Sequence, residues 1–328
     1  MKKAVFIIIL FVHLHAVGQR KSFFLDLQNR NAYREIKGIY PVASSDPGDL
    51  YEITYDEKKR PVSVVYSRAG QLKRAPELGT VRMVIEYTDS AEYRYFKDAG
   101  NLPDKNPNGV FVEKYVYDKK GRKKRLDYLD GAGQLTESPA GVARIYFETD
   151  EKGRIIKETQ ISSRGRVVPR GAVNYYQTGF VYDDKDRMIE LYNIDSAGRR
   201  AANSIGLASM RMTWNKMDKE ISWSYHDITG KIMRRKDINI AKGVYMIDDR
   251  GKIISTSYLD ENNQPVNYRN SVAMAISFFT PAGDLVEQRF YDKELRLVNS
   301  AWTNFALVRY HSDGSQRKEQ RFFSSDFE

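Results

Sequence analysis

The chain has 328 residues and no cysteine, and its 53 Lys and Arg against 43 Asp and Glu give a formal charge of +10. The missing cysteine excludes disulfides, cysteine-held metals and a lipid-modified cysteine, so an exported form must stand on packing and ladder hydrogen bonds alone. The length allows an ample core, and the basic residues are spread along the chain as on a generally solvated surface, with only short clusters such as "KKGRKKR" and "MRRKD".

Lys2 and Lys3 precede an apolar run from Ala4 to Leu14, and the chain then turns small and polar at "HAVGQRK". Ala16 and Gly18 sit where a signal peptidase accepts small residues, so residues 1–18 are expected to be an export signal cleaved before Gln19. The run is shorter than the roughly 20 residues that span a bilayer. No second long apolar run occurs, so the mature chain is expected to carry no integral span. The expected location is periplasmic, cell-surface or secreted, a setting in which nucleic acid is not an expected partner. The positive balance would suit anionic envelope polymers or lipid headgroups. Residues 19–50 do not share the pattern of the rest of the chain. Their "FFLDLQNRNAYREIKGIY" is expected to form a short amphipathic helix or an irregular N-terminal cap.

From residue 51 to 328 the chain repeats. One slot recurs at Tyr55, Tyr87, Tyr117, Thr149, Tyr182, Trp214, Ile247, Phe279 and Tyr310, at steps of 30 to 33 residues. A fixed period in this range marks a repeat architecture. Each unit runs from a stretch rich in Val, Ile, Tyr and Phe into a turn such as "YDKKGR", "TDEKGR" or "IDDRGK". Asp opens that turn and Gly closes it, which is the chemistry of a type I turn ending in a left-handed bulge residue. A second strand comes next, then a second turn such as "YLDGAGQL", then a looser link to the next unit. Lys59, Asp186, Asp218 and Leu295 are read in the glycine slot of the first turn, and a change of turn type is expected at Lys59 and Leu295 because bulky residues tolerate left-handed φ poorly. The Tyr87 unit shortens its turn to "TDSAE".

The "YDKKGR", "YDDKDR" and "TDEKGR" turns resemble the YD repeats of the Rhs family and other tandem β-hairpin repeats of exported bacterial proteins. The resemblance covers roughly Leu50 to the end. It implies an all-β, curling array of hairpins that encloses, scaffolds or binds, and it carries over no catalytic residue. The expected fold is therefore all-β: about nine hairpin units in an elongated or curved antiparallel sheet or solenoid with an N-terminal cap. A closed ring is the alternative topology.

Motifs of chemistry are sparse. His226 and His311 are the histidines beyond the signal; they lie in different repeats, near turns, and read as surface residues. No zincin spacing, nucleophile elbow or Walker loop occurs. "DDKD" at Asp183 to Asp186 could gather oxygens for calcium, but neighbouring units place Lys there, so these are turn residues first. No cofactor, metal site or catalytic residue is assigned. Aromatic residues remain: repeat-slot rings such as Tyr117, Tyr128, Tyr182 and Tyr192 are expected to pack unit against unit, and Trp214, Trp223, Tyr225 and Trp302 are the candidate binding residues.

Three functions are compatible with this sequence. The first is a non-enzymatic envelope or secreted scaffold that binds another exported protein, or a second copy through exposed edge strands. The second is a glycan-binding module, which requires Trp and Tyr rings to line an open groove beside Arg and Asp. The third, a polysaccharide hydrolase, requires two carboxylates brought about 5–10 Å apart by folding.

Overall fold

Hairpins form because β-branched and aromatic residues fill both arms of each unit and a four-residue turn joins them. The computed structural model describes residues 20–28, 31–269, 271–312 and 317–327. The expected export signal, residues 1–18, lies outside the described residues, as does the tip of the last first turn at 313–316.

Two strands come first, β1 (Arg20–Leu27) and β2 (Gly38–Val42). Four hairpins come next: β3 (Asp49–Tyr55) with β4 (Pro61–Arg68), extended by the two-residue β5 (Gln71–Leu72); β6 (Arg82–Tyr87) with β7 (Ala91–Lys97); β8 (Val112–Tyr117) with β9 (Lys123–Leu129); and β10 (Arg144–Thr149) with β11 (Ile155–Ile161). The remaining hairpins are β12 (Gln177–Tyr182) with β13 (Met188–Ile194), β14 (Ser209–Trp214) with β15 (Glu220–His226), β16 (Lys242–Ile247) with β17 (Ile253–Leu259), β18 (Met274–Phe279) with β19 (Leu285–Tyr291), and β20 (Leu307–Ser312) with β21 (Arg317–Phe322). All 21 strands belong to one antiparallel sheet. It is open: after β2 and β1 it runs through β3, β4 and β6 onward in chain order to β21. Among the described residues the only helical pieces are single 3₁₀ turns at Gly171–Val173 and Ser324–Phe327. Eight of the nine repeat slots end the first strand of a hairpin; the ninth, Tyr310, lies within β20.

The turns show why the repeat reads Asp-x-x-Gly-Arg. Asp118 Oδ1 accepts the backbone N–H groups of Lys120 and Arg122 at 2.8 and 3.0 Å, and Oδ2 takes the Arg122 Nε–H at 2.8 Å. The closing N–H of Gly121 meets the Asp118 carbonyl at 3.0 Å. One extra residue on that side shifts the ladder register between Val116 and Tyr117, a β-bulge. The expected change of turn type does not occur. Lys59 and Leu295 hold φ of 61° and 64° in the same geometry, as Asp186 and Asp218 do at 59° and 61°. Leu295 moreover belongs to the second turn of its unit, opened by Asp292. The hydrogen bonds centred on the opening Asp56, Asp183 and Asp292, or on Asn215 in the Asp218 turn, survive these replacements and hold the backbone left-handed. The shortened Tyr87 turn joins β6 and β7 without a register shift, because the one residue it lacks is the bulge residue of the other turns.

Neighbouring units are then stapled along both rims. On the first-turn rim, Arg122 reaches the Asp150 carbonyl at 3.4 Å, Arg154 reaches Asp186 at 3.3 Å, and Arg187 reaches the Asn215 carbonyl at 3.1 Å. On the rim of links, Asn203 donates to the Val173 carbonyl, Asn239 to that of Asn267, and the Ser271 hydroxyl to that of Asn299. Slot aromatics tie each unit to the one before it: Tyr87 donates to the Pro61 carbonyl, Tyr117 to Glu92, Tyr182 to the Ile155 carbonyl and Trp214 to the Met188 carbonyl.

The sheet curls until its first hairpin meets its seventh and eighth. Arg250 pairs with Asp46, Lys252 with Asp49, and Arg68 with Asp284. In place of the expected amphipathic helix, β1 and β2 are strands joined to the sheet, with residues 31–37 between them irregular, because β1 finds a ladder partner in β3 and Gly38 leaves room for the Phe24 ring. Between β1 and β2 the chain crosses the first-turn ends of the curled sheet. The Ala32 carbonyl accepts from Ile155 N–H, Lys123 Nζ donates to the Tyr33 and Arg34 carbonyls, and Lys37 pairs with Asp218. Apolar side chains of the inner face form a cluster around Ile53, Val64, Tyr66 and Met83 in the first hairpins and a longer one from Val110 to Val266.

Candidate binding site

Alternation along β15 sends Trp223 and Tyr225 to the inner face and Ser224 and His226 to the outer one. The Trp223 ring lies flat over Gly243 of β16, where a Cβ would approach it to 2.5 Å, and its Nε1–H donates to the Tyr245 hydroxyl at 2.9 Å. Tyr258 of β17 occupies the place that Tyr225 holds in β15, one residue from the strand end. The links supply the rest: Arg235, Asp237, Ile238 and Ile240 from one, Tyr268 and Arg269 from the next, and Trp302 from the third. Together they line an open cleft of about 620 Å³.

The rings are close. Trp223 and Tyr225 lie 4.9 Å apart, Tyr258 and Tyr268 5.3 Å, and Tyr268 and Trp302 4.9 Å between centroids. Trp302 is 46% exposed. Arg235 stands over the Tyr225 ring at 5.0 Å and is bound to Asp237, while Arg269 stands over Tyr268 at 5.4 Å. Hydrogen bonding to Arg235 holds the Asp237 carboxyl below its ordinary range, and burial raises the Tyr258 hydroxyl, so the acid stays charged and the phenol neutral. Flat apolar faces, fixed planar donors and one carboxylate can grip a ring that is apolar on its faces and polar at its edge.

Of the four candidate residues, the fold brings Trp223, Tyr225 and Trp302 into this cleft. Trp214 lies elsewhere: its indole N–H is spent on the Met188 carbonyl at 2.8 Å and its ring packs on the core. Sequence reading missed Tyr258, Tyr268, Arg235, Asp237 and Arg269. The recurring aromatic one residue before the end of the second strand was a signal for Tyr258; the link residues had none, since links vary from unit to unit.

His226, expected at the surface, is buried at 8% exposure. Its Nδ1 faces the Gly230 carbonyl at 3.0 Å and its Nε2 the Ser224 hydroxyl at 2.9 Å, which ties the second turn to the strand. His311 is exposed and faces Gln320. Asp183 spends its carboxylate on Arg187 and on two backbone N–H groups. No group of three or more potential metal ligands gathers among the described residues.

Buried carboxylates are matched to cations on both faces of the sheet, Glu92 and Glu158 on the inner one and Asp127 and Glu190 on the outer one. Glu92 pairs with Arg94 and Lys123, Glu158 with Arg34 and Arg170, Asp127 with Arg125 and Arg144, and Glu190 with Arg200 and Arg211. Burial alone would raise the Glu92 carboxyl, but Arg94 and Lys123 overcome it and bring it to about 2. Burial lowers the Lys123 ammonium to about 8 against the opposing pull of Glu92. The aromatic cleft itself contains a single carboxylate, Asp237.

The fold and cleft define an open all-β array of antiparallel hairpins with an aromatic groove on its inner face. No family model and no curated protein matches the chain. Among solved structures it is similar over 86% of its length to a chain of the Photorhabdus luminescens Tc holotoxin pore, at 12% identity and a TM-score of 0.32. It is similar over 83% to a chain of the TcdB2-TccC3 crystal structure, at 9% identity and a TM-score of 0.27. The chain spans only 15% and 14% of the lengths of those two chains. It is also similar over 85% to a porin-like protein from Bacteroides uniformis, at 11% identity and a TM-score of 0.23, spanning 91% of that chain. Likenesses this distant leave the reading of the site to its own geometry.

Proposed function

We propose that the protein is a non-enzymatic, exported binding scaffold of the YD-repeat kind, and that its ligand in the aromatic cleft is a glycan. The observation that carries the reading is the convergence of Trp223, Tyr225, Tyr258, Tyr268 and Trp302 beside Arg235, Asp237 and Arg269 in one open groove. Sugar rings stack their C–H faces on such side chains and offer hydroxyls to the arginine and aspartate at the edge. The repeat supplies a stiff inner surface on which the rings are already ordered, so little side-chain entropy remains to be lost on binding.

The test uses the chain from Gln19 against purified envelope glycans, with a pulldown from the native envelope alongside. Saturable glycan retention, lost in Trp302→Ala and Trp223→Ala, supports the reading. Saturable capture of a protein partner that survives both substitutions, with no glycan retained, would replace it with a protein-binding scaffold.

A further inference from the structure

A second cavity, of about 640 Å³, opens at the first-turn rim between the crossing segment Tyr33 to Gly38 and the turns of the first, third and fourth hairpins. Its cations fall into two groups. Arg60, Arg122 and Lys37 are matched by Asp56, Asp118 and Asp218, and Arg94 and Lys123 share Glu92. Lys59, Lys120 and Lys152 are exposed and have no acidic partner among the described residues, although each lines the cavity. One further lining carboxylate, Glu35, makes no close ion pair among the described residues, although its charge acts on Lys123. The cavity therefore keeps an excess of positive charge on three flexible side chains that come from three different turns.

The same cavity is lined by the slot rings Tyr55, Tyr87 and Tyr117. Tyr87 and Tyr117 spend their hydroxyls on the Pro61 carbonyl and on Glu92. Tyr55 is half-buried, and its hydroxyl has no partner among the described residues. A site with unpaired ammonium groups, aromatic walls and an uncommitted phenol differs in kind from the aromatic cleft, where the charged groups are nearly balanced.

We propose that this chamber is a binding site for an acidic sugar unit, whose carboxylate or phosphate oxygens meet Lys59, Lys120 and Lys152 while its ring lies on the tyrosine wall. The volume suits one or two sugar residues. The proposal does not rest on the glycan reading of the cleft, because the two cavities share no residue.

Calorimetric titration of the chain from Gln19 with trigalacturonate and with glucose 1-phosphate tests it, the two arms separating carboxylate from phosphate; inorganic pyrophosphate serves as the sugar-free control. At least one acidic sugar is expected to bind saturably and more tightly than pyrophosphate. The triple variant Lys59→Gln, Lys120→Gln, Lys152→Gln should lose about tenfold or more in affinity, with a weaker salt dependence, because opposite charges in a cavity attract less once neutralised. A control triple variant of exposed lysines elsewhere, Lys73→Gln, Lys231→Gln, Lys236→Gln, removes the same net charge and should bind as the parent does. Both triples alter exposed side chains, and unchanged thermal unfolding confirms that they fold. Absence of binding to either acidic sugar, equal losses in the two triples, or pyrophosphate binding as tightly as the sugars would each overturn the proposal.

Discussion

At the scale of single residues, the inner face sets buried ion pairs among its apolar clusters. Glu92, with its side chain only 5% exposed, holds Arg94 and Lys123 together, and these in turn grip the crossing segment through the Arg34 carbonyl. Replacing Glu92 by Gln leaves two buried cations without their counter-charge, which should cost about 3–5 kcal/mol in urea denaturation at pH 7. The acid limb of the stability curve checks the same group. The Glu92 carboxyl lies lower in the folded chain, at about 2, than in the unfolded one. Its contribution is therefore complete above the ordinary glutamate range and lost as pH falls toward 2, so Glu92→Gln should flatten the acid limb between roughly pH 4.5 and 2. Lys123 acts in the opposite sense: its folded value near 8 lies below its unfolded one, so its burial opposes folding below pH 8 and ceases to do so as pH rises through the alkaline range. Glu92 and Arg94 lie two residues apart on one strand, a spacing visible in the sequence, whereas Lys123 and the Arg34 carbonyl reach them only through strand pairing and the crossing segment, which leave no local pattern.

At the scale of the element, the hairpin turn is the unit of design. Gly121 has a φ of 74° and open space around its Cβ position, so Gly121→Ala should cost about 1 kcal/mol, from backbone conformation alone. Gly251 combines a φ of 81° with the Tyr40 ring 2.8 Å from that position. Gly251→Ala should therefore cost measurably more in the same urea assay, because the Tyr40 ring, whose hydroxyl accepts a hydrogen bond from Asn215, must move. Leu295, held at φ 64° and 66% exposed, gives the converse: Leu295→Gly should stabilise by about 0.5–1 kcal/mol. Period, strand pairs and turns could all be read from the sequence, because each is written in residues fewer than about ten apart. The arginine after the glycine was visible in the repeat, but its bond to the opening aspartate was not read from it. Its reach to the next unit depends on how far one hairpin is offset from its neighbour, and the crossing of residues 31–37 depends on several hairpins at once; neither leaves a local pattern. In the cleft, the strand residues Trp223 and Tyr225 were found through their type, while Arg235, Asp237 and Arg269 lie in links whose sequence does not repeat.

For the whole molecule, the decisive contact is the one that closes the coil. Asp49, buried at 4% exposure, accepts from Tyr66 and Arg68 in its own hairpin and from Lys252 of the seventh. Asp49→Asn should loosen this meeting while leaving every hairpin intact. Small-angle X-ray scattering is then expected to show a larger radius of gyration with an unchanged β circular-dichroism signal; an unaltered radius would mean that the crossing segment alone sets the curl. The first and seventh hairpins, 203 residues apart at Asp49 and Lys252, meet through charged side chains, whereas adjacent strands are joined by backbone ladders throughout. These two kinds of bond resist load differently. Drawn out lengthwise, the chain is expected to give first where ions hold it and only afterwards where the ladders do. It is therefore expected to lengthen and recoil over a range in which no hairpin unfolds, and added salt should widen that range by weakening the pairs that close the coil.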